Sequence, residues 1–246
     1  SDLGKIGSFG GKENDSDEIE NDPVIFVHGA SDVAGSKMKV LADQYKVCCL
    51  ENRATLKQSY TPLHMVTEHR EILFNGLCIR CDVNSLSRHI RALILAVRFY
   101  ARRNVDIVAF SLGVPITRKA ILGGKNNIFR ICFDTKENLG VPLTRYIDTF
   151  VGISGPNHGM TFKVAGLPVP TCALGTLPIC DKVIGLYSGL CPMESDFLHD
   201  INGKYHYEGD RVYSIYSHAD EKIGYKVCNK VSSEFWRNNA IGFIAS

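Results

Sequence analysis

Short apolar runs alternate along this chain with segments of helical spacing. Val24–Val27 is the first run, and it ends at His28-Gly29, as is typical of a strand buried on both faces. Similar runs predict three further strands, at residues 105–110, 147–153 and 212–216.

Helices are predicted between these strands. The clearest covers residues 84–103, and a helix over 114–122 is closed by Gly123-Gly124; a third is predicted over 36–45. Four arginines lie off the apolar stripe of the first helix and are expected to form a solvated outer face: Arg88, Arg91, Arg98 and Arg102. Strands separated by helices indicate a mostly parallel sheet with helices on both faces.

Composition narrows the class of protein. The chain has 246 residues, 45% of them hydrophobic, which predicts one generous domain. Its 28 basic and 26 acidic residues give a net charge of +2, which does not indicate nucleic-acid binding. No run approaches the roughly 20 unbroken apolar residues of a membrane span.

Four segments are distinguished along the chain. Residues 1–22 contain seven acids and two lysines and are expected to form a mobile arm ahead of a single domain over 23–246. Residues 159–210, rich in proline and cysteine, are expected to form a lid-like excursion with a largely apolar stretch. The tail 231–246 is atypical.

Nine cysteines are many for this length. Without a repeated metal spacing they favour disulfides, an oxidising compartment and secretion. The odd number leaves one thiol unpaired or paired with another molecule. Cys78-Ile-Arg-Cys81 leaves a zinc or dithiol site as the alternative. Asn14-Asp15-Ser16 is an N-glycosylation sequon, in keeping with secretion.

The segment Val105–Phe110 continues into Ser111-Leu112-Gly113 and a predicted helix. The pattern small-x-Ser-x-Gly between a strand and a helix is typical of a nucleophile elbow, and Ala109 is the small residue here. Ala109 and Gly113 must be small because strand and helix cross closely there. The alternative is a serine in an ordinary strand-to-helix turn.

Two further segments contain candidate oxyanion donors and a candidate acid, although Gly29 and Asp220 would each also suit an ordinary turn. Acyl transfer needs two backbone N–H donors for the oxyanion, and those of Leu112 and Ala30 are placed for this, the latter in His28-Gly29-Ala30. Asp220 follows a late strand, where an acid can orient a general-base histidine.

The motifs at 22–29, 105–113 and 213–220 together resemble class 2 lipases (the EstA/EstB group), over roughly residues 7–40 and 84–230. Gly113-Val114-Pro115 and the segment 152–159 resemble the animal secreted branch. The resemblance implies an α/β-hydrolase fold, with Ser111 as nucleophile, Asp220 as acid and the N–H groups of Ala30 and Leu112 as oxyanion hole. It implies that residues 155–159 line the site. The implied activity is that of a triacylglycerol lipase-like carboxylic ester hydrolase in lipid catabolism.

One departure from the family bears on activity. The family places its histidine some tens of residues beyond the acid, whereas 26 residues follow Asp220 here and none is histidine. His158, His199 and His206 are the weak alternatives. Residues 126–131 also look intrusive, and an imperfectly joined or truncated gene product would explain these departures together.

The sequence therefore predicts a secreted serine hydrolase of lipid or small esters. No cofactor, metal, nucleic acid or stable protein partner is expected, while transient contact with a lipid surface is. A non-catalytic lipid- or partner-binding protein on the same scaffold is the alternative, and an amidase or acyltransferase would use the same serine. A cysteine-based oxidoreductase is a distant further alternative.

Overall fold

A computed structural model describes residues 14, 16–19, 21–29, 63–64, 79–124, 138–164, 167–235 and 241–245. Their centre is a six-stranded, wholly parallel sheet of β1 (Val24–Val27), β2 (Leu63–His64), β3 (Val105–Phe110), β4 (Ile147–Ile153), β7 (Arg211–Ser217) and β10 (Ile241–Ala245). Across the sheet the strands follow the order β10-β7-β4-β3-β1-β2. The predicted mostly parallel sheet is confirmed.

Three helices and two small hairpins complete the described elements. The helices are α1 (Ile79–Ala101), α2 (Gly113–Leu122) and α3 (Asp196–Asn202), with 3₁₀ turns at Thr144–Tyr146 and Pro178–Cys180. The hairpins pair β5 (Thr161–Val164) with β6 (Leu167–Pro170), and β8 (Lys226–Val227) with β9 (Lys230–Val231). Helix α1 begins five residues before the predicted start, and the helix predicted over 36–45 lies outside the described residues.

The core lies where α1 and α2 cover the sheet. All four residues of β1 are buried, as its unbroken apolar run predicts. Ile25 and Val27 join the main hydrophobic cluster with Ile94 of α1 and Ile121 of α2, whereas Phe26 belongs to a second cluster. The order of the sheet brings the carboxyl ends of β3, β4 and β7 to one edge, where the candidate site lies.

The solvated outer face predicted for α1 is wrong at Arg91. This side chain is buried, and its guanidinium donates to the carbonyl oxygens of Ala120 (2.6 Å) and Val141 (2.8 Å). Burial lowers the pKa of Arg91. The guanidinium therefore joins α1 to α2 and to the chain beyond it, a role that the polar character of arginine does not signal.

Helix α2 is buried along its whole length although it carries two cations. Arg118 is fully buried and pairs with the buried carboxylate of Glu208 at 2.9 Å. The same guanidinium donates to Asn202 Oδ1 (2.9 Å), Ile201 O (2.9 Å) and Asn157 Oδ1 (3.3 Å). Because these acceptors lie on three different segments, this cluster fixes α2 to α3 and to the loops after β4 and before β7.

Two disulfides involve the excursion, and they confirm disulfide formation for four of the nine cysteines. Cys172 pairs with Cys180 inside the excursion, and Cys191 pairs with Cys228 in the turn between β8 and β9. The first disulfide belongs to a hydrophobic cluster that contacts Leu112, next to Ser111. Excursion and elbow therefore pack together.

We predict that the Arg118–Glu208 pair dominates the stability of this region. Glu208→Ala leaves a buried guanidinium without its carboxylate and should lower the free energy of unfolding by about 3–5 kcal/mol. Asp22→Ala breaks the exposed pair of Asp22 with Arg103 and is the control, expected to cost about 0–1 kcal/mol. Urea unfolding of both variants measures the difference. Equal losses in the two variants would contradict this account of the buried cluster.

Candidate active site

Ser111 occupies the turn between β3 and α2 in a left-handed backbone conformation, with φ of +52°. A non-glycine residue in this region is strained and is held there only by its surroundings. Its N–H donates to Ile153 O of the neighbouring strand (2.8 Å), and its carbonyl accepts from Val114 N (3.0 Å). The strand therefore turns into the helix within a few residues, as the elbow pattern predicts.

Two glycines allow the end of β1 to lie against this turn. A Cβ on Gly29 would stand 2.6 Å from Ser111 Cβ and 3.1 Å from its Oγ. A Cβ on Gly113 would stand 2.4 Å from His28 O. Real Cβ atoms do not approach so closely, so both positions require glycine. The requirement at Gly113 comes mainly from the end of β1.

The predicted oxyanion donors can be placed only in part. Leu112 N lies at the start of α2, where unpaired N–H groups and the helix dipole favour negative charge. The side chain of Leu112 packs against both the main core and the cluster of the excursion. Ala30 lies outside the described residues, so its role stays a prediction.

Asp220 lies just beyond β7, at the same edge of the sheet as Ser111. Its Oδ1 accepts from Lys222 N and Ile223 N, both at 2.9 Å, which fixes the carboxyl group in a local turn. Strand β4 separates β7 from β3, so the two strand ends are about 10 Å apart. An imidazole could bridge a gap of this size between acid and serine.

The histidines singled out from the sequence occupy other positions. His199 and His206 are exposed, and His218 is exposed with its ring centre 4.1 Å from that of Tyr225. His158 Nδ1 lies 3.8 Å from Glu194 Oε1 and 3.4 Å from Asn202 Nδ2. Among the described residues, no histidine hydrogen-bonds to Ser111.

The contact of His158 with Glu194 was not anticipated from the sequence. The interaction with His158, then that with Lys230, lowers the pKa of Glu194 to about 2 against the opposite effect of burial. Glu194 is therefore a carboxylate at neutral pH. Glu194 joins the loop after β4, through His158, to the start of β9, through Lys230. Residues 36 positions apart form this contact, which no local spacing reveals.

In the part of the chain that the structure covers, no group of three His, Cys, Asp or Glu side chains is arranged to hold a metal ion. Cys78 lies outside that part, so the alternative at Cys78–Cys81 stays untested. The helices in the described ranges are too short or too polar to cross a membrane.

A strained serine at the end of a parallel strand, followed directly by a helix and an acid beyond a later strand, defines an α/β-hydrolase. The sequence model of the class 2 lipases, described as Lipase (class 2), matches residues 21–242. The chain belongs to this family, whose activity is ester hydrolysis. No curated protein sequence shows significant similarity to it.

Solved lipolytic enzymes have similar structures at low sequence identity. A structure from the metagenome-derived lipolytic enzymes LipS and LipT is 10% identical and has a TM-score of 0.54, with coverage of 98% of this chain and 87% of its own. The mature Bacillus licheniformis lipase BlEst2 is 14% identical, with a TM-score of 0.46 and coverage of 85% and 70%. Aspergillus fumigatus lipase B is 16% identical, with a TM-score of 0.49 and coverage of 91% and 44%. The chain thus spans less than half of the Aspergillus enzyme.

We predict that Gly29→Ala impairs the site. The new Cβ would stand against Ser111 Cβ, so one of the two backbones must shift, at about 1–3 kcal/mol of stability. The catalytic rate on a soluble ester should fall about tenfold or more, since a displacement near 1 Å disturbs the geometry of attack. Gly175→Ala is the control, because its Cβ would meet the flexible side chain of Lys182 at 3.3 Å and would lie at ordinary contact distance, 3.5 Å, from Cys180 O. Full activity of a folded Gly29→Ala variant would contradict the described packing.

Proposed function

We propose that this chain hydrolyses carboxylic esters of lipids through an acyl-enzyme on Ser111. The observation that supports this most directly is the left-handed Ser111 held against Gly29, in a chain of the class 2 lipase family. Lipid catabolism and a secreted location are part of the proposal. The two disulfides support the latter.

The proposed mechanism is acyl transfer. Ser111 Oγ attacks the carbonyl carbon of the ester, and the carbonyl oxygen becomes an oxyanion bound by the N–H groups of Leu112 and Ala30. The C–O bond to the alcohol breaks, and the alcohol leaves with the proton that the serine released. Water then attacks the acyl-enzyme in the same way, which releases the acid and restores the serine.

A general base must accept the proton of Ser111, and Asp220 is proposed to orient it. None of the described histidines hydrogen-bonds to the serine. His158 contacts Glu194 and Asn202 instead. Hydrogen bonds of the catalytic groups are often long before substrate binds, so this geometry alone does not exclude a histidine. The base is therefore unassigned.

A lipid substrate is supported by exposed apolar side chains on the excursion. Lys182 lies between two parts of the excursion. Its aliphatic carbons face Gly175, and its ammonium lies 5.3 Å over the Tyr187 ring. The hydroxyl of Tyr187 in turn reaches Met193 Sδ at 3.9 Å. We name the exposed apolar residues the excursion patch: Leu167, Leu174, Leu177, Leu190 and Met193. Because the hydrophobic cluster of the excursion contacts Leu112, contact of the excursion with a lipid surface would bring substrate near Ser111.

A second candidate, a non-catalytic binding protein on the same scaffold, stays a prediction from the sequence. A member of the family without a base would keep the elbow and the excursion patch and would bind lipid without hydrolysing it. The two candidates differ in turnover and agree in lipid binding.

Hydrolysis of a soluble butyrate ester by the purified chain tests the proposal. Ser111→Ala should lower the rate constant by about 10⁴–10⁶, because loss of a nucleophile removes most of the catalysis. Ser154→Ala is the control: Ser154 directly follows the neighbouring strand β4, with φ of +46°, and has no proposed catalytic role. A folded wild-type chain without turnover, or turnover that survives Ser111→Ala, would contradict the proposed mechanism.

Lipid preference is tested on an emulsified triacylglycerol with Leu174→Asp combined with Leu190→Asp. Activity on the emulsion should fall about tenfold or more, since each leucine that leaves water contributes about 1.5–3 kcal/mol. Activity on the soluble ester should be retained. The control combines Phe99→Asp with Val141→Asp, which are equally exposed (73% and 70%) outside the excursion. Equal losses in both pairs would contradict a role for the excursion patch.

A further inference from the structure

An arginine-rich cleft lies at the amino ends of β3, β4 and β7, the edge of the sheet opposite Ser111. It is open to solvent and holds about 540 Å³. Six of its lining residues are charged: Asp22, Arg98, Arg102, Arg103, Asp148 and Arg211. Because β3 spans the sheet with six residues at about 3.3 Å each, the cleft is about 20 Å from Ser111.

Two of the four arginines already have carboxylate partners. Arg103 Nε donates to Asp22 Oδ1 at 2.8 Å, and Arg211 pairs with Asp148. The carboxylate of Asp148 raises the pKa of Arg211. Within each pair the positive and negative charges balance. The positive charges of the other two arginines, Arg98 and Arg102, are left in excess.

Arg98 and Arg102 have no carboxylate partner among the described residues. Arg98 Nε is buried and has no hydrogen-bond acceptor there, and its guanidinium lies 5.8 Å over the ring of Tyr146. Arg102 is exposed at the end of α1, with φ of +55°. Both side chains line the cleft, so an anion there would balance guanidinium charge that no described carboxylate balances.

Two neighbouring features bear on this charge balance. Arg98 lies in the last turn of α1, where a cation also stabilises the negative end of the helix dipole. That effect explains the charge but leaves Nε without an acceptor. Asp106 lies nearby, and its Oδ1 accepts from Thr149 N at 3.0 Å. Burial, with contributions from Asp148 and Asp22, raises the pKa of Asp106. Counting Asp106 as ionised still leaves four guanidiniums against three carboxylates.

We propose that this cleft binds the tetrahedral oxyanion of a soluble phosphate or sulfate compound, with Arg98 and Arg102 as its principal ligands. The planar guanidinium presents parallel N–H groups that match the oxygen spacing of such anions, and pairs of this kind are among the stronger hydrogen bonds in proteins. The site is separate from Ser111, so the proposal does not rest on hydrolysis.

Titration calorimetry of the full chain with sodium phosphate and sodium sulfate tests the proposal, at ionic strength held constant with sodium chloride. Both anions should bind saturably. Arg98→Gln combined with Arg102→Gln should weaken binding about tenfold or more, since two charge-assisted contacts are lost. The charge-matched control combines Arg88→Gln with Lys222→Gln, both exposed and outside the cleft. Control binding should equal that of the wild type.

Three outcomes would overturn the proposal. Phosphate and sulfate could show no saturable binding above that of chloride, binding could weaken equally in the two double variants, or binding could be unchanged in the double variant of Arg98 and Arg102. If the double variant does not fold, Arg102→Gln alone provides the test, because this exposed side chain should be replaceable without loss of stability. Glycerol 3-phosphate should bind as phosphate does. The chain should not co-sediment with phosphatidate vesicles by means of Arg98 and Arg102. Co-sedimentation that is lost in the double variant of Arg98 and Arg102 would show that the cleft binds a lipid headgroup instead of a soluble anion.

Discussion

The close packing of three chain segments around Ser111 is the constraint on which the site depends. Strand β3 turns into α2 with the serine in a left-handed conformation, and the end of β1 lies against that turn. Only glycine fits at Gly29 and Gly113, because a Cβ at either position would overlap neighbouring atoms. Strain at a single residue persists where surrounding structure enforces it, and here β1, β4 and α2 together do so.

The buried cations of α2 extend this constraint to the rest of the edge. Arg118 binds Glu208 and the side chains of Asn157 and Asn202, while Lys119 Nζ binds Asp200 Oδ2 at 2.7 Å. The helix that begins behind the serine is thereby fixed to the loop after β4 and to α3. The excursion is in turn joined to the turn between β8 and β9 by the disulfide of Cys191 and Cys228. Elbow, excursion and acid-bearing loop form one packed assembly.

Much of the framework was predictable because it is encoded locally. The apolar run at Val24–Val27 and the pattern around Ser111 each specify their structure within a few neighbouring residues. Buried arginines were not predictable, because the partners that make their burial favourable are distant in sequence. Arg118 and Glu208 are 90 positions apart, and Arg91 contacts a carbonyl 29 positions away. Hydrophobic spacing treats such residues as solvent-facing, so the error at Arg91 has a physical cause.

The proposed activity of Ser111 depends on a base that accepts its proton. Reaction of the purified chain with a fluorophosphonate, followed by mass spectrometry of the modified peptide, measures that activity directly, because the probe reacts with serines that a base has activated. We expect a single phosphonylated site at Ser111, lost in Ser111→Ala and retained in Ser154→Ala. A folded chain that remains unmodified, or one modified at another serine, would contradict the proposed activity of Ser111.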